Sequence, residues 1–159
     1  TQPMRIVVEL ELPADPDDVL PWVESLDTYP TWTSLVHRVA VDATGSEPAW
    51  IVELRARIGP LARSKRLRMV RAATGTDGHL RFERAEVDGR DHGHWEFDVR
   101  CTSTGAPGSP RSRLAVDLAY DGANWAGGIV ERTLQDEIER SKARLTELVS
   151  AGRLPGPTP

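Results

Sequence analysis

The stretch HLRFERAEVDGRDHGHWEFDV, residues 79–99, decides which residues lie on the apolar face of the sheet and which lie on the charged face. Asp88-Gly89, placed between two alternating runs, is a strong signal for a two-residue hairpin turn. Counting outward from that turn puts apolar pairs on one face: Phe82 with Trp95, and Leu80 with Phe97. The other face then pairs polar and charged side chains: Glu83 with His94, Arg81 with Glu96, and His79 with Asp98. Because both kinds of cross-strand pair are stabilising, we predict this register.

The same stretch holds His92 and His94 with Asp91 and Glu96 close by, a spacing compatible with a metal site on a strand. In the predicted register, however, both histidines lie on the charged face. A zinc site needs three or four converging ligands that are themselves held by hydrogen bonds. We therefore interpret these histidines as surface residues paired with carboxylates, and we expect neither a metal nor a cofactor. Any functional chemistry should lie on the opposite, apolar face.

The alternating pattern extends along most of the chain. After the first strand, apolar residues spaced for one helical face and the turn Tyr29-Pro30-Thr31-Trp32 predict two short helices. The segment 124–150 has its apolar residues spaced by threes and fours, which predicts a long C-terminal helix. The predicted strands span residues 5–12, 35–43, 49–58, 65–74, 79–87, 92–102 and 112–120.

A sheet of this length must curl, and a long helix can cover its concave face. We therefore predict an α+β fold in which a curled seven-stranded antiparallel sheet wraps around the C-terminal helix. A single domain should span residues 4–152, and residues 153–159 should form a flexible tail.

Composition argues against several classes of function. The chain has 159 residues and a formal net charge of −4, whereas nucleic-acid-binding domains are usually basic, so we expect no nucleic-acid partner. No apolar run approaches the roughly 20 residues of a membrane helix, and we expect no signal peptide. The single cysteine, Cys101, shares the inward parity of Trp95 and is interpreted as a core residue. We expect a soluble, cytoplasmic protein.

Three segments carry a resemblance to a known superfamily. They are RIVVELELPADPDDV at 5–19, LDTYPTW at 26–32 and GGIVERTLQDEIERSKARLTEL at 127–148. The aliphatic strand, the helix entry that follows it, the Tyr-Pro-x-Trp turn and the closing helix resemble the helix-grip fold of the START-like (SRPBCC) superfamily. That superfamily includes polyketide cyclase/dehydrases, lipid-transfer START domains and birch-pollen-allergen relatives.

The resemblance implies a cavity between the sheet and the long helix that holds a hydrophobic or aromatic small molecule, either a lipid or a polyketide-like compound. Such cavities are mostly apolar, with a few polar groups that orient the ligand. The residues with inward parity that we predict to contact the ligand are Val52, Leu54, Leu67, Met69, Leu80, Phe82, Trp95, Phe97, Val116, Leu118, Tyr120, Trp125, Val130 and Leu134.

The inward face also carries polar residues: Arg71, Arg84, Glu86 and Tyr120. The resemblance offers an enzyme of the cyclase, aromatase or dehydratase kind as an alternative to simple binding. In that case Arg71 or Arg84 would stabilise an enolate, and Tyr120 or Glu86 would transfer protons. Structural roles are the competing interpretation, since arginines near strand ends extend to the rim.

Two further features leave alternatives open. Asn124, Trp125 and Gly127-Gly128 form either a gate at the cavity mouth or a frayed helix start. Arginines predicted on the convex face form either a solvated surface or a docking face for an acidic partner or a second copy, as in an interaction or toxin-like protein. These basic residues are Arg55, Arg57, Arg66, Arg68 and Arg81, with Arg63 and Lys65 in the neighbouring loop. We rank ligand binding first because it requires only the apolar face.

Overall fold

The computed structural model describes residues 4–58, 61–72, 78–121 and 128–156. Within these ranges the side chains of residue 4, of 56–58, of 61 and 63, and of 128–134 are not described.

Seven strands form one antiparallel sheet that is not closed into a barrel, in the order β1-β7-β6-β5-β4-β3-β2. Two short helices, α1 (Pro16–Val23) and a 3₁₀ helix (Leu26–Thr31), follow the first strand, and α2 (Gly128–Ser150) ends the domain. The predicted α+β helix-grip fold is therefore confirmed. The strands are β1 (Met4–Leu12), β2 (Val36–Asp42), β3 (Ala49–Ile58), β4 (Leu61–Arg71), β5 (His79–Arg84), β6 (Trp95–Ser103) and β7 (Ser112–Tyr120).

Helix α1 begins where its sequence predicts. Pro16 occupies the first turn, where its missing N–H costs nothing, and Asp17 and Asp18 lie at the positive end of the helix. Val19 and Trp22 are buried against the sheet. Pro21 lies inside the helix, which ends at Val23 and is short, as predicted.

The register of the β5–β6 hairpin was predicted wrongly. Phe82 pairs with Phe97 and Leu80 pairs with Val99, two residues further along β6 than predicted. Because side chains alternate with a period of two, this slip leaves the two faces unchanged.

The reason for the slip lies in bonds to other strands. Gly89 has a φ of 74°, but the residues on either side of the turn do not pair with each other. The Ala85 N–H donates to the carbonyl of Arg68 at 3.0 Å, and the Asp121 N–H donates to the carbonyl of His94 at 2.8 Å. These bonds hold the two ends of the connection against β4 and the end of β7 and not against each other, and β5 ends at Arg84 while β6 begins at Trp95.

Strand β4 begins at Leu61, earlier than predicted, and its pairing with β3 continues to Ile58 opposite Leu61. Lys65 therefore lies inside a strand and not in a loop. It pairs with Leu54 and precedes Leu67 by two residues, so its side chain is on the apolar face.

Arg68 was predicted to face solvent, but it is only 9% exposed. Its Nε donates to Asp42 Oδ2 at 2.8 Å, and its Nη1 donates to the carbonyl of Ala85 at 2.8 Å. Hydrogen bonds from the Thr44 hydroxyl and from Arg68 lower the pKa of Asp42 to about 2. A buried arginine needs such a partner, and Asp42 supplies it from β2, which lies two strands away beyond β3.

The predicted arginine patch on the convex face is smaller than expected. Arg81 is half-buried and forms ion pairs with Glu96 and with Asp98. Arg55 and Arg66 are exposed, and the side chains of Arg57 and Arg63 lie outside the described residues.

The apolar face of the sheet has two halves. In the packed half, defined by Leu80, Phe82, Val99 and Cys101, every side chain is buried. Helix α1 packs against β6, while α2 packs against β1 and β3. The open half, defined by Leu54, Phe97, Val116 and Leu118, keeps partly buried side chains.

Candidate ligand-binding site

A cavity of about 230 Å³ lies between the open half and α2. Its wall is formed by β1, the first residue of β2, β3, β4, β6, β7, the 3₁₀ helix with the segment after it, and α2. Pockets for small molecules usually have roughly 300–1,000 Å³, so this space suits a compact apolar ligand.

The structure places most of the described candidates on this wall, and two of them away from it. Leu80 and Phe82 do not line the cavity. The side chains of Trp125, Val130 and Leu134 lie outside the described residues. Of the predicted gate, Asn124, Trp125 and Gly127 lie outside them as well, and Gly128 is the first residue of α2. The candidates on the wall are Val52, Leu54, Leu67, Met69, Trp95, Phe97, Val116, Leu118 and Tyr120.

Phe82 is fully buried because it is enclosed by other rings. Its centroid lies 4.7 Å from that of Phe97, with the two rings stacked, and 5.9 Å from that of Trp50. Phe97, its cross-strand partner, forms the boundary between the packed half and the cavity.

Sequence reasoning missed two parts of the wall. Residues Ile6, Val8 and Leu10 of β1 line the cavity, and their alternation was a sufficient signal. Residues Ile138, Ser141 and Leu145 of α2 do so as well. The apolar spacing of this segment predicted one apolar helix face. The sequence near these residues gave no signal for which part of that face lines a cavity.

Tyr29 presents its ring to the cavity and directs its hydroxyl elsewhere. The hydroxyl donates to the carbonyl of Val23 at the end of α1, at 2.9 Å. The ring lies 4.7 Å from that of Trp32 and 6.2 Å from that of Phe97. Burial raises the pKa of Tyr29 far above its ordinary value, so its hydroxyl stays protonated.

Two hydroxyl groups in the wall bond to each other. Ser141 Oγ lies 2.8 Å from Thr33 Oγ1 and 2.7 Å from the carbonyl of Glu137. This pair joins α2 to the segment that follows the 3₁₀ helix, and it satisfies both side chains without a ligand.

Trp95 differs from the other described tryptophans. The indole N–H groups of Trp22, Trp32 and Trp50 donate to Arg153 O, Trp22 O and Asp27 Oδ1 at 2.9, 3.0 and 3.0 Å. Trp95 is 7% exposed, and its Nε1 has no hydrogen-bond partner among the described residues. Its ring stacks on Tyr120 at 4.7 Å, and Lys65 Nζ lies over it, 5.4 Å from the centroid.

The predicted catalytic candidates do not converge. Arg71 Nη1 donates to the carbonyl of Glu24 at 2.6 Å, where it caps the C-terminus of α1. Arg84 is paired with Glu86, Nε to Oε1, at 3.0 Å. Of the four candidates, Tyr120 is the one that lines the cavity.

One cluster in the described part of the chain has the geometry to hold a cation. Ligand atoms of Glu86, Asp88 and His92 lie within 4.8 Å of one another. The guanidinium of Arg84 already lies among them, bonded to Glu86 and 3.3 Å from His92 Nδ1. His92 Nε2 lies 2.9 Å from Asp88 Oδ2. We therefore interpret the cluster as an ion-pair network closed by Arg84 and assign no metal to it.

Cys101 is buried in the packed half. Burial raises the pKa of its thiol to about 11. Since the thiolate is the nucleophilic form, this thiol is unsuited to attack at neutral pH.

A family model matches nearly the whole chain. The family is described as polyketide cyclase/dehydrase and lipid transport, and the match covers residues 3–150. The chain belongs to this family. No curated protein matches the sequence significantly.

Several solved structures share the fold at low sequence identity. A START superfamily protein from Mycobacterium smegmatis has a TM-score of 0.66 at 16% identity, over 92% of this chain and 97% of that one. Human StAR-related lipid transfer protein 5 has a TM-score of 0.69 at 12% identity, over 92% of this chain and 76% of that one. The Zhui aromatase/cyclase from Streptomyces has a TM-score of 0.60 at 13% identity, over 94% of this chain and 92% of that one.

The family contains both transport proteins and enzymes, so membership alone leaves the activity open. No helix in the described part of the chain is long and apolar enough to span a membrane.

Proposed function

We propose that this protein binds a hydrophobic or aromatic small molecule, such as a lipid or a polyketide-like compound, in the cavity of the open half. The observation that carries the proposal is an apolar space of about 230 Å³ inside a domain whose other half is closely packed. Protein interiors normally approach crystal density, and cavities cost roughly 24 cal/mol per Å³ in stability. A cavity of this size is therefore worth several kcal/mol to a ligand that fills it.

The comparisons support this proposal at the level of the family. The family's description includes lipid transport, and one protein with the same fold is named as a lipid transfer protein. Both are consistent with a cavity whose wall residues are mostly apolar and in which the hydroxyl groups of Tyr29, Thr33 and Ser141 are already bonded to the protein.

Two measurements test the proposal directly. Native mass spectrometry of the purified protein should detect a retained small molecule. After delipidation, the neutral dye N-phenyl-1-naphthylamine should bind saturably with one site per chain. If no compound is retained and the dye shows no saturable binding, the proposal is wrong.

A matched pair of variants locates the binding. Leu118→Trp fills part of the cavity and should abolish dye binding. Ala119→Trp places the same side chain on the opposite face of β7 and should leave it intact, since Ala119 pairs with Arg5 and Glu96. Equal loss in both variants would place the dye elsewhere.

The second candidate is a cyclase or dehydratase acting in the same cavity. It is favoured by the shared fold with the aromatase/cyclase and by the place of Tyr120 on the wall. It ranks lower because Arg71, Arg84 and Glu86 are engaged in structural contacts. The substitution Tyr120→Phe should then reduce turnover of a poly-β-ketone substrate, and unchanged turnover would remove Tyr120 from the mechanism.

The third candidate, an interaction protein that uses the convex face, keeps Arg55 and Arg66 as exposed cations. It ranks last because Arg68 and Arg81 are neutralised within the protein.

A further inference from the structure

We infer that the ligand of this cavity is an apolar carboxylic acid whose carboxylate lies at Trp95 and Lys65. The inference rests on the proposed function, and it names the chemical class of the ligand and the end of the cavity at which its charged group is held.

The first observation is the unpartnered indole N–H of Trp95. Buried donors in folded proteins almost always have an acceptor, and three other tryptophans here follow that rule. Trp95 Nε1 has none among the described residues, and its ring forms part of the cavity wall. A ligand that places an oxygen acceptor beside this ring would satisfy the donor.

The second observation is the position of Lys65. It shares the apolar face with Leu54 and Leu67, both of which line the cavity. Its ammonium lies 5.4 Å from the centroid of the Trp95 ring. A lysine and a free indole donor thus meet at one aromatic ring, and that ring belongs to a residue that lines the cavity.

The charge around Lys65 is not balanced by the described part of the protein. Burial and then the positive charge of Arg84 lower the pKa of Lys65, and no carboxylate contributes in the opposite direction. Arg84 has Glu86 as its partner, whereas none of the described carboxylates forms an ion pair with Lys65. An anion bound here would stabilise the ammonium and be stabilised by it.

These groups select among the possible polar ends of an apolar ligand. Both Trp95 Nε1 and Lys65 Nζ are donors without acceptor capacity, so an amine or ammonium group would find no partner and would be repelled. A neutral ester or ketone could accept a hydrogen bond from the indole but would leave the positive charge of Lys65 unbalanced. A carboxylate has two acceptor oxygens and a negative charge, so it can accept from both donors and also balance that charge.

The test compares three ligands that share a ten-carbon chain: decanoate, methyl decanoate and decylamine. Each is titrated against the protein with bound N-phenyl-1-naphthylamine, and the displacement constants are compared at pH 7.5. We expect decanoate to bind at least about tenfold more tightly than decylamine, the ratio that one charge-assisted hydrogen bond provides. Equal displacement by the acid and the amine would overturn the inference.

Variants assign the preference to the two residues. Lys65→Met should weaken decanoate by about tenfold and leave methyl decanoate within about twofold. Trp95→Phe keeps an aromatic ring but removes the N–H, and it should weaken both the acid and the ester. Arg66→Met is the matched control, because it removes one positive charge from the residue next to Lys65 in β4, on the opposite, exposed face of the sheet. It should leave decanoate binding unchanged.

The two proposals fail in different ways. If the dye does not bind the native protein, the proposed function is wrong. If the dye binds and is displaced by all three ligands without regard to charge, the cavity binds ligands but the assignment of a carboxylate to Trp95 and Lys65 is wrong. The comparison of acid and amine uses the native protein, so it decides the inference even where a variant fails to fold.

Discussion

The packed half and the open half of the sheet face have similar residues but different surroundings. Phe82 and Val99 are completely buried, whereas their cross-strand neighbours Phe97 and Val116 line the cavity. All four are apolar and have the same parity along their strands. The difference therefore comes from what covers them: α1 packs onto β6, and α2 packs against β1 and β3 and spans the space between.

This comparison shows that an apolar face is not by itself a binding site. In the packed half, burial of side chains stabilises the fold. In the open half, the same kinds of side chain are left with contacts that only a ligand can supply. Three tests ask whether substitutions in the two halves change the stability of the protein by different amounts. Two compare matched residues of the two halves, and the third concerns Cys101 in the packed half.

The largest effect is expected from truncating the two stacked phenylalanines. Phe82→Ala should lower the free energy of unfolding by about 3–5 kcal/mol, the usual cost of removing a fully buried aromatic ring. Phe97→Ala should cost about 2 kcal/mol less, because its ring already faces an empty space on one side. Urea denaturation of both variants measures the difference, and equal losses would mean that the halves are not distinct.

A smaller effect is expected from adding volume to the paired valines. Val99→Phe should destabilise the protein by about 1–3 kcal/mol, because the packed half has no room for the extra atoms. Val116→Phe should cost less than about 1 kcal/mol and should weaken binding of N-phenyl-1-naphthylamine, because the new ring enters the cavity. A Val116→Phe protein as destabilised as Val99→Phe would show that the cavity cannot accept a side chain.

The smallest effect concerns the thiol of Cys101 in the packed half. Its pKa is raised to about 11 in the folded protein by burial. The unfolded chain ionises nearer pH 8.5, so ionisation favours unfolding as the pH rises above that value. The native protein should therefore lose about 1 kcal/mol more stability than Cys101→Ala between pH 8 and pH 9.5.

Labelling of Cys101 by a disulfide reagent at pH 8 gives an independent measurement. It should be slow in the native protein and fast in denaturant. Rapid labelling without denaturant would show that the packed half opens as easily as the open half.

Much of the fold follows from local chemistry. Pro16 with two following aspartates starts α1, and the alternating residues of β6 and β7 give the correct sidedness even though the hairpin register was wrong. A slip by two residues preserves the faces, which explains why a wrong register still led to mostly correct wall residues such as Trp95 and Leu118. A wrong register leaves the faces unchanged only when the strand is shifted by an even number of residues.

The candidate site was less accessible to sequence reasoning. Arg68 and Lys65 both lie in β4. The sequence analysis predicted Arg68 to face solvent and Lys65 to lie in a loop. Arg68 is buried because Asp42 from β2 pairs with it, and Lys65 reaches the apolar face because β3 and β4 pair beyond the predicted strand end. Each outcome depends on a residue distant in sequence.

What the sequence by itself determined is the order of the elements and the side of the sheet on which most strand residues lie. Both follow from the two-residue period of strands, the periodicity of the helices, and turn and cap residues, all of which act over a few positions. Only the tertiary structure decided which part of the apolar face is filled and which is hollow, and which of the four described tryptophans has no acceptor among the described residues. Those properties depend on where α1 and α2 cover the sheet, and such packing is set by contacts between distant segments.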